Sequence, residues 1–137
     1  MRASLTRRIT FSAGHHYHRP EWDAARNADT FGACARSHGH TYAVDVTVSG
    51  PIDPLTGFCA DLTALDRALR TEVFDRLDHR DLVLDVPEFA EGQLIPTSEN
   101  VAWWIARAVQ RALGDATRVT RVRVAEEPGL WTEVEPT

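Results

Sequence analysis

A chain of 137 residues, 43% hydrophobic and 26% charged, suits a single globular domain with one core. A net charge of −5 argues against a nucleic-acid partner, which needs clustered positive charge. No apolar stretch approaches the ~20 residues of a membrane helix, and two cysteines are too few for a disulfide framework. The expectation is a reducing, cytoplasmic setting with no nucleic acid and no membrane.

Leu5, Ile9, Phe11 and Ala13 share one parity, so the period of two predicts a strand from Leu5 to His15, with Arg7 interrupting its apolar face. His16 to Ser37 reads as a long loop, with a helical turn around Asp23 to Asp29. The clearest strand runs from His40 to Ser49, with Tyr42, Val44, Val46 and Val48 on one face. Gly50, Pro51 and Pro54 end it. Asp61 is an N-cap for a helix to about Arg76 carrying Leu62, Leu65, Leu69 and Val73 along one side. Pro96-Thr97-Ser98 opens a second helix, striped by Val101, Trp104, Ile105, Ala108 and Ala112 and ended by Gly114. A strand from Arg118 to Glu126 and a short one near Leu130 to Val134 close the chain. The predicted fold class is α+β: an antiparallel four-stranded sheet with two helices packed on one face, in the order ββααββ.

His38-Gly39-His40 carries the sharpest chemistry. Residues two apart on a strand point to one side, so both imidazoles can converge on one ion. His15 ends the first strand in the parity of Phe11 and Ala13, and pairing of the two strands brings a third ring to the same point. Three neutral nitrogens leave one open tetrahedral position, the arrangement of a catalytic zinc site. His16 has the opposite parity and His18 sits in the loop beside Pro20; both are read as non-ligands.

Cys34, four residues before His38, is a base or nucleophile if a nearby cation makes it a thiolate; an inert buried thiol and a fourth metal ligand are the alternatives. Asp78-His79 is a proton shuttle or a solvated surface pair. Glu126 continues the phase of Val122 and Val124; it is by default a strand-end carboxylate in water, and in a pocket it is a group that can grip a guanidine-like N–H pair with two parallel bonds. Thr97-Ser98-Glu99 reads by default as helix capping.

Taken in order, Phe11-Ser12-Ala13-Gly14-His15, Cys34-x-x-x-His38-Gly39-His40-x-Tyr42, Thr56-Gly57-x-x-x-Asp61, Leu77-Asp78-His79-x-x-Leu82, Pro96-Thr97-x-Glu99-Asn100 and Val122-x-Val124-x-Glu126 resemble the 6-pyruvoyl / 6-carboxy-tetrahydropterin synthase family. The likeness runs over nearly the whole chain. It implies a tunnelling (T-) fold and a hexamer built as a dimer of trimers. It implies zinc on His15, His38 and His40, a proton relay of Cys34, Asp78 and His79, and a substrate, 7,8-dihydroneopterin triphosphate, whose ring Glu126 anchors, with Thr97 and Glu99 as further contacts. Arg19, Arg26 and Arg36 are candidate triphosphate partners. Thr41, Val83, Glu127 and Trp131 depart from the family pattern without removing a proposed ligand or catalytic group.

The Cys-x-x-x-His-Gly-His spacing looks like the carboxy branch, which makes 6-carboxy-tetrahydropterin for 7-deazaguanine (queuosine) biosynthesis. The long segment before Cys34 looks more like the pyruvoyl branch. The spacing bears more directly on where the base stands relative to the metal, so the expectation is the carboxy branch. Readings from other classes are a non-catalytic zinc- or pterin-binding protein on the same fold, against which Cys34, Asp78 and His79 argue, and a three-histidine zinc hydrolase.

Overall fold

The computed structural model describes residues 1–136. Alternation of side chains decides the sheet. β1 (Arg2–His15) and β2 (His38–Pro51) pair antiparallel over their full length, from Arg2 opposite Pro51 to His15 opposite His38. β2 also pairs antiparallel with β4 (Arg118–Glu127), which pairs with β5 (Leu130–Val134). Tyr42, Val44, Val46 and Val48 are fully buried and meet Val119, Val122 and Val124 on the same face. A bulge at Thr47/Val48 lets Val119 and Val122 share that face although they are three apart.

The predicted four strands become five. β3 (Arg80–Asp81) runs parallel to β1 beside Ala13 and Gly14, giving the order β3-β1-β2-β4-β5 and a mixed sheet. Two residues carry no periodicity to read. The pairing is set by the turn before it: Asp78 Oδ1 accepts from Ser12 N at 3.0 Å, and His79 N donates to Ser12 O at 2.6 Å.

Helices cover the apolar face. α2 (Leu62–Ala68), capped by Asp61 on Ala64 N, passes through a π-helical turn at Leu69–Phe74 into α3 (Asp75–Leu77), so one helix expected to reach about Arg76 is present with a local widening. α5 (Ser98–Leu113) is capped by Thr97 and ended by Gly114 at positive φ, as the stripe and punctuation predict. Arg7, out of place on an apolar strand face, reaches Asp66 of α2 with two hydrogen bonds of 2.9 and 3.1 Å. The segment between β1 and β2 holds α1 (Ala24–Phe31), capped by Asp23, and a 3₁₀ turn at Gly32–Ala35. α4 (Leu82–Asp85) and a second 3₁₀ turn (Pro87–Phe89) follow β3. Among the described residues no helix is long and apolar enough to cross a membrane.

Candidate metal centre

The antiparallel register puts His15 opposite His38 and Ala13 opposite His40, so all three imidazoles leave the helix-covered face at one end of the sheet. Their ligand atoms lie within 4.8 Å of one another. His15 is fully buried. Its Nδ1 lies 2.8 Å from the Pro96 carbonyl, which can only accept; Nδ1 therefore carries the proton and Nε2 presents its lone pair. His38 Nδ1 is fixed in the same way by the Arg36 carbonyl at 2.7 Å. Burial, with the other histidines beside it, lowers the His15 pKa to about 4 and keeps the ring neutral, as a ligand must be.

The fit to a metal rests on two orphaned atoms. His15 Nε2 and His40 Nε2 are buried without a hydrogen-bond partner among the described residues, an arrangement that is costly unless something binds there. Three imidazole nitrogens are a donor set zinc accepts. His16 and His18 turn elsewhere. They line a separate small recess, where His18 Nε2 is 3.2 Å from Glu91 Oε1.

Glu126 stands at the same end of the sheet. Its side chain is 10% exposed, with Oε2 2.9 Å from His40 Nε2 and 3.8 Å from His15 Nε2. The shorter contact is close but badly aimed, so it is not a hydrogen bond. Tyr17 Oη donates to Glu126 Oε1 at 3.4 Å, and the Tyr17 ring meets His15 edge-on at 5.0 Å. Burial first, then the charges of Glu126, Cys34 and Glu99, push the Tyr17 phenol above its ordinary pKa. Sequence reasoning passed over Tyr17 because it lies in a loop without period; its parity with His15 was the one available signal.

Cys34 is a half-buried free thiol in the 3₁₀ turn, with its carbonyl accepting from Tyr17 N at 2.8 Å. Asp78 and His79 do touch: His79 Nδ1 donates to Asp78 Oδ2 at 2.8 Å. The Ser12 N–H and then His79 hold the Asp78 carboxyl below its usual range. His79 is 82% exposed and occupies positive φ, 58°, which is uncommon outside glycine. It lines an open cavity of about 480 Å³ with His40, Ser12, Ala13, Gly14, Gly39, Thr41 and Arg80. Arg80 is a cation the sequence reading missed. Of the three arginines it named, Arg19 is paired with Glu21, Arg26 stacks on Trp22 at 3.9 Å, and Arg36 makes no ion pair among the described residues. Thr97 accepts from Asn100 N at 3.2 Å as the cap of α5, and Glu99 is exposed beside it.

A sequence model described as 6-pyruvoyl tetrahydropterin synthase matches residues 4–137. The chain belongs to the 6-pyruvoyl tetrahydropterin synthase family. It is 41% identical over 128 residues to the 6-pyruvoyl tetrahydrobiopterin synthase of Drosophila melanogaster, covering 92% of this chain and 75% of that one. It is 40% identical over 113 residues to that of Homo sapiens, covering 81% and 77%. The solved Caenorhabditis elegans 6-pyruvoyl tetrahydropterin synthase superposes with a TM-score of 0.92 at 30% identity, over 100% of this chain and 97% of that one. The synthase family membership bears out the tunnelling fold and a lyase-type enzyme with a candidate metal-binding histidine triad.

The expected carboxy branch, and with it queuosine biosynthesis, is corrected: these relatives of the chain carry the 6-pyruvoyl name. The reason is structural. The stretch between Cys34 and His38 is not one extended strand but a 3₁₀ turn running into β2, so a count of three intervening residues does not fix where the thiol stands relative to the imidazoles.

Proposed function

We propose that this chain is a zinc-dependent 6-pyruvoyl-tetrahydropterin synthase, converting 7,8-dihydroneopterin triphosphate to 6-pyruvoyl-tetrahydropterin with loss of inorganic triphosphate. The observation that carries this reading is the convergence of His15, His38 and His40, two of them with orphaned Nε2 atoms, beside Glu126. The names of the relatives support the choice of branch.

Zinc on the triad would supply Lewis-acid stabilisation of negative charge developing on the side-chain oxygens of the substrate. The rest falls to the chain's own groups. Glu126 grips the guanidine-like edge of the ring, with Thr97 and Glu99 as further contacts, which holds the side chain over the triad. Cys34 and His79 take and return protons along that side chain. Asp78 keeps the His79 proton on Nδ1, so Nε2 is the atom that exchanges it. Arg80, which lines the cavity beside His40, is the cation assigned to the triphosphate, with Arg36 as a second candidate. Hydrogen lost from the side-chain hydroxyl carbons reappears on the ring, so no outside reductant is needed.

The hexamer belongs to the same reading. Among the described residues the outer edge of β1 is paired only at Ala13 and Gly14, and β5 has one neighbour, leaving two edges for further copies. Sedimentation of the purified protein measures this mass.

The deciding experiment is product identification from dihydroneopterin triphosphate. Triphosphate and 6-pyruvoyl-tetrahydropterin are expected. Release of acetaldehyde, or tight pterin binding without turnover, overturns the reading.

A further inference from the structure

We propose that Tyr17 is a positioning residue for the ring anchor: its phenol O–H aims the Glu126 carboxylate at the guanidine-like edge of the pterin. This rests on the reading of Glu126 as that anchor.

The sheet alone does not aim Glu126. Where β4 pairs with β5, Ala125 stands opposite Trp131 and Glu127 opposite Leu130, so the register shifts across Glu126 and leaves it without a cross-strand partner. An irregularity of this kind re-aims a side chain, and what that side chain meets decides where it points. Glu126 meets Tyr17. The O–H on Oε1, at 3.4 Å, is the one hydrogen bond the carboxylate receives among the described residues, although its side chain is only 10% exposed. A carboxylate so enclosed depends on its donors. Each carboxylate oxygen has two lone pairs, so the bond from Tyr17 leaves both oxygens able to accept from a ring.

Tyr17 is itself held from three sides. Its N–H donates to the Cys34 carbonyl at 2.8 Å, and its ring meets His15 edge-on at 5.0 Å and Phe31 of α1 at 5.9 Å. One stiff residue thus ties the turn that carries the thiol to the carboxylate that anchors the ring, with the triad between them. A substrate gripped at one end and reacted upon at the other needs that spacing fixed.

Tyr17→Phe keeps the aromatic contacts and the backbone bond and removes the O–H alone. The test compares pterin with lumazine by fluorescence titration. Lumazine carries an oxygen where pterin carries its amino group, so it lacks the N–H pair. In Tyr17→Phe the affinity for pterin is expected to fall about tenfold, the worth of a hydrogen bond to a charged group, and that for lumazine to hold. In a Glu126→Gln background the same change is expected to leave the ratio of the two affinities unaltered. An undiminished preference for pterin in Tyr17→Phe overturns the proposal. So does an equal loss for both ligands, which marks Tyr17 as packing. Tyr17→Leu, which also lacks the O–H, gives the same comparison should Tyr17→Phe fail to fold. Failure of the anchor reading looks different: Glu126→Gln then retains the preference for pterin, and the proposal falls with it.

Discussion

His15 on β1 and Pro96 just ahead of α5 are 81 residues apart in sequence and joined by one hydrogen bond of 2.8 Å. The carbonyl sets the tautomer of the imidazole and its aim. Tyr42 Oη, 3.1 Å from the same Nδ1, closes the remaining freedom of the ring. The start of α5 therefore braces the candidate metal site from outside, and groups that hold a ligand in place govern metal affinity.

Thr97→Ala removes the α5 cap and is expected to cost about 1 kcal/mol of stability. It should also weaken metal binding, because Pro96 is the neighbouring residue. Asp61→Ala removes the α2 cap at similar cost, far along the chain from the triad, and should leave metal affinity unchanged. Chelator competition on both variants checks the pair; equal losses of affinity would refute the link.

His79→Gly separates strain from chemistry. Gly accepts a φ of 58° freely, so folding stability should hold or rise by about 1 kcal/mol. Turnover should fall by roughly 10²–10⁴-fold, the loss that follows from the proposed role of His79 as general acid or base. Thermal melting and single-turnover rates measure the two sides. A variant that is both less stable and fully active would contradict the assignment.

The metal-free protein should lose stability on mild acidification. The His15 pKa is about 4 in the folded chain against an ordinary 6.5, so between those values the unfolded chain binds a proton that the folded chain refuses. Stability contributed by the neutral ring is full above pH 6.5, declines as pH falls, and is lost through about pH 4. Melting temperatures across this window, compared with those of His15→Gln, read the effect. Proton resonances of His15 that titrate near 6.5 would disprove it.

Glu88 binds two elements at once. It accepts from Trp104 Nε1 of α5 at 3.0 Å and pairs with Arg76 of α3 at 2.9 Å, while the Arg76 guanidinium lies over the Trp104 ring. Glu88→Ala leaves a nearly buried indole N–H without its acceptor and is expected to cost about 1–3 kcal/mol. Denaturant unfolding checks the value, and metal affinity should not change.

Where one face is buried and the other open, the sequence could be read. The parity of Tyr42, Val44, Val46 and Val48 placed β2 and put His38 and His40 on a single side, and His15 followed once β1 was paired with it. Thr97 and Gly114 bounded α5 because capping is local chemistry. β3 was invisible because two residues have no pattern and their pairing depends on Asp78 reaching back to Ser12. Tyr17 and Arg80 were missed for a related reason: what each one faces is decided by chain brought in from elsewhere. The branch was misread because residue count stood in for distance across a turn.

Ser12 and His15 are three residues apart on β1, and the strand points them to opposite sides of the sheet. One supports the Asp78–His79 turn through its backbone, and the other is a member of the triad. Sliding this strand past β2 by a single residue would turn the imidazole outward and strand the turn in the same stroke. Both halves of the chemistry are keyed to one ladder of backbone bonds, so a partly slipped molecule would be wholly inert rather than half competent.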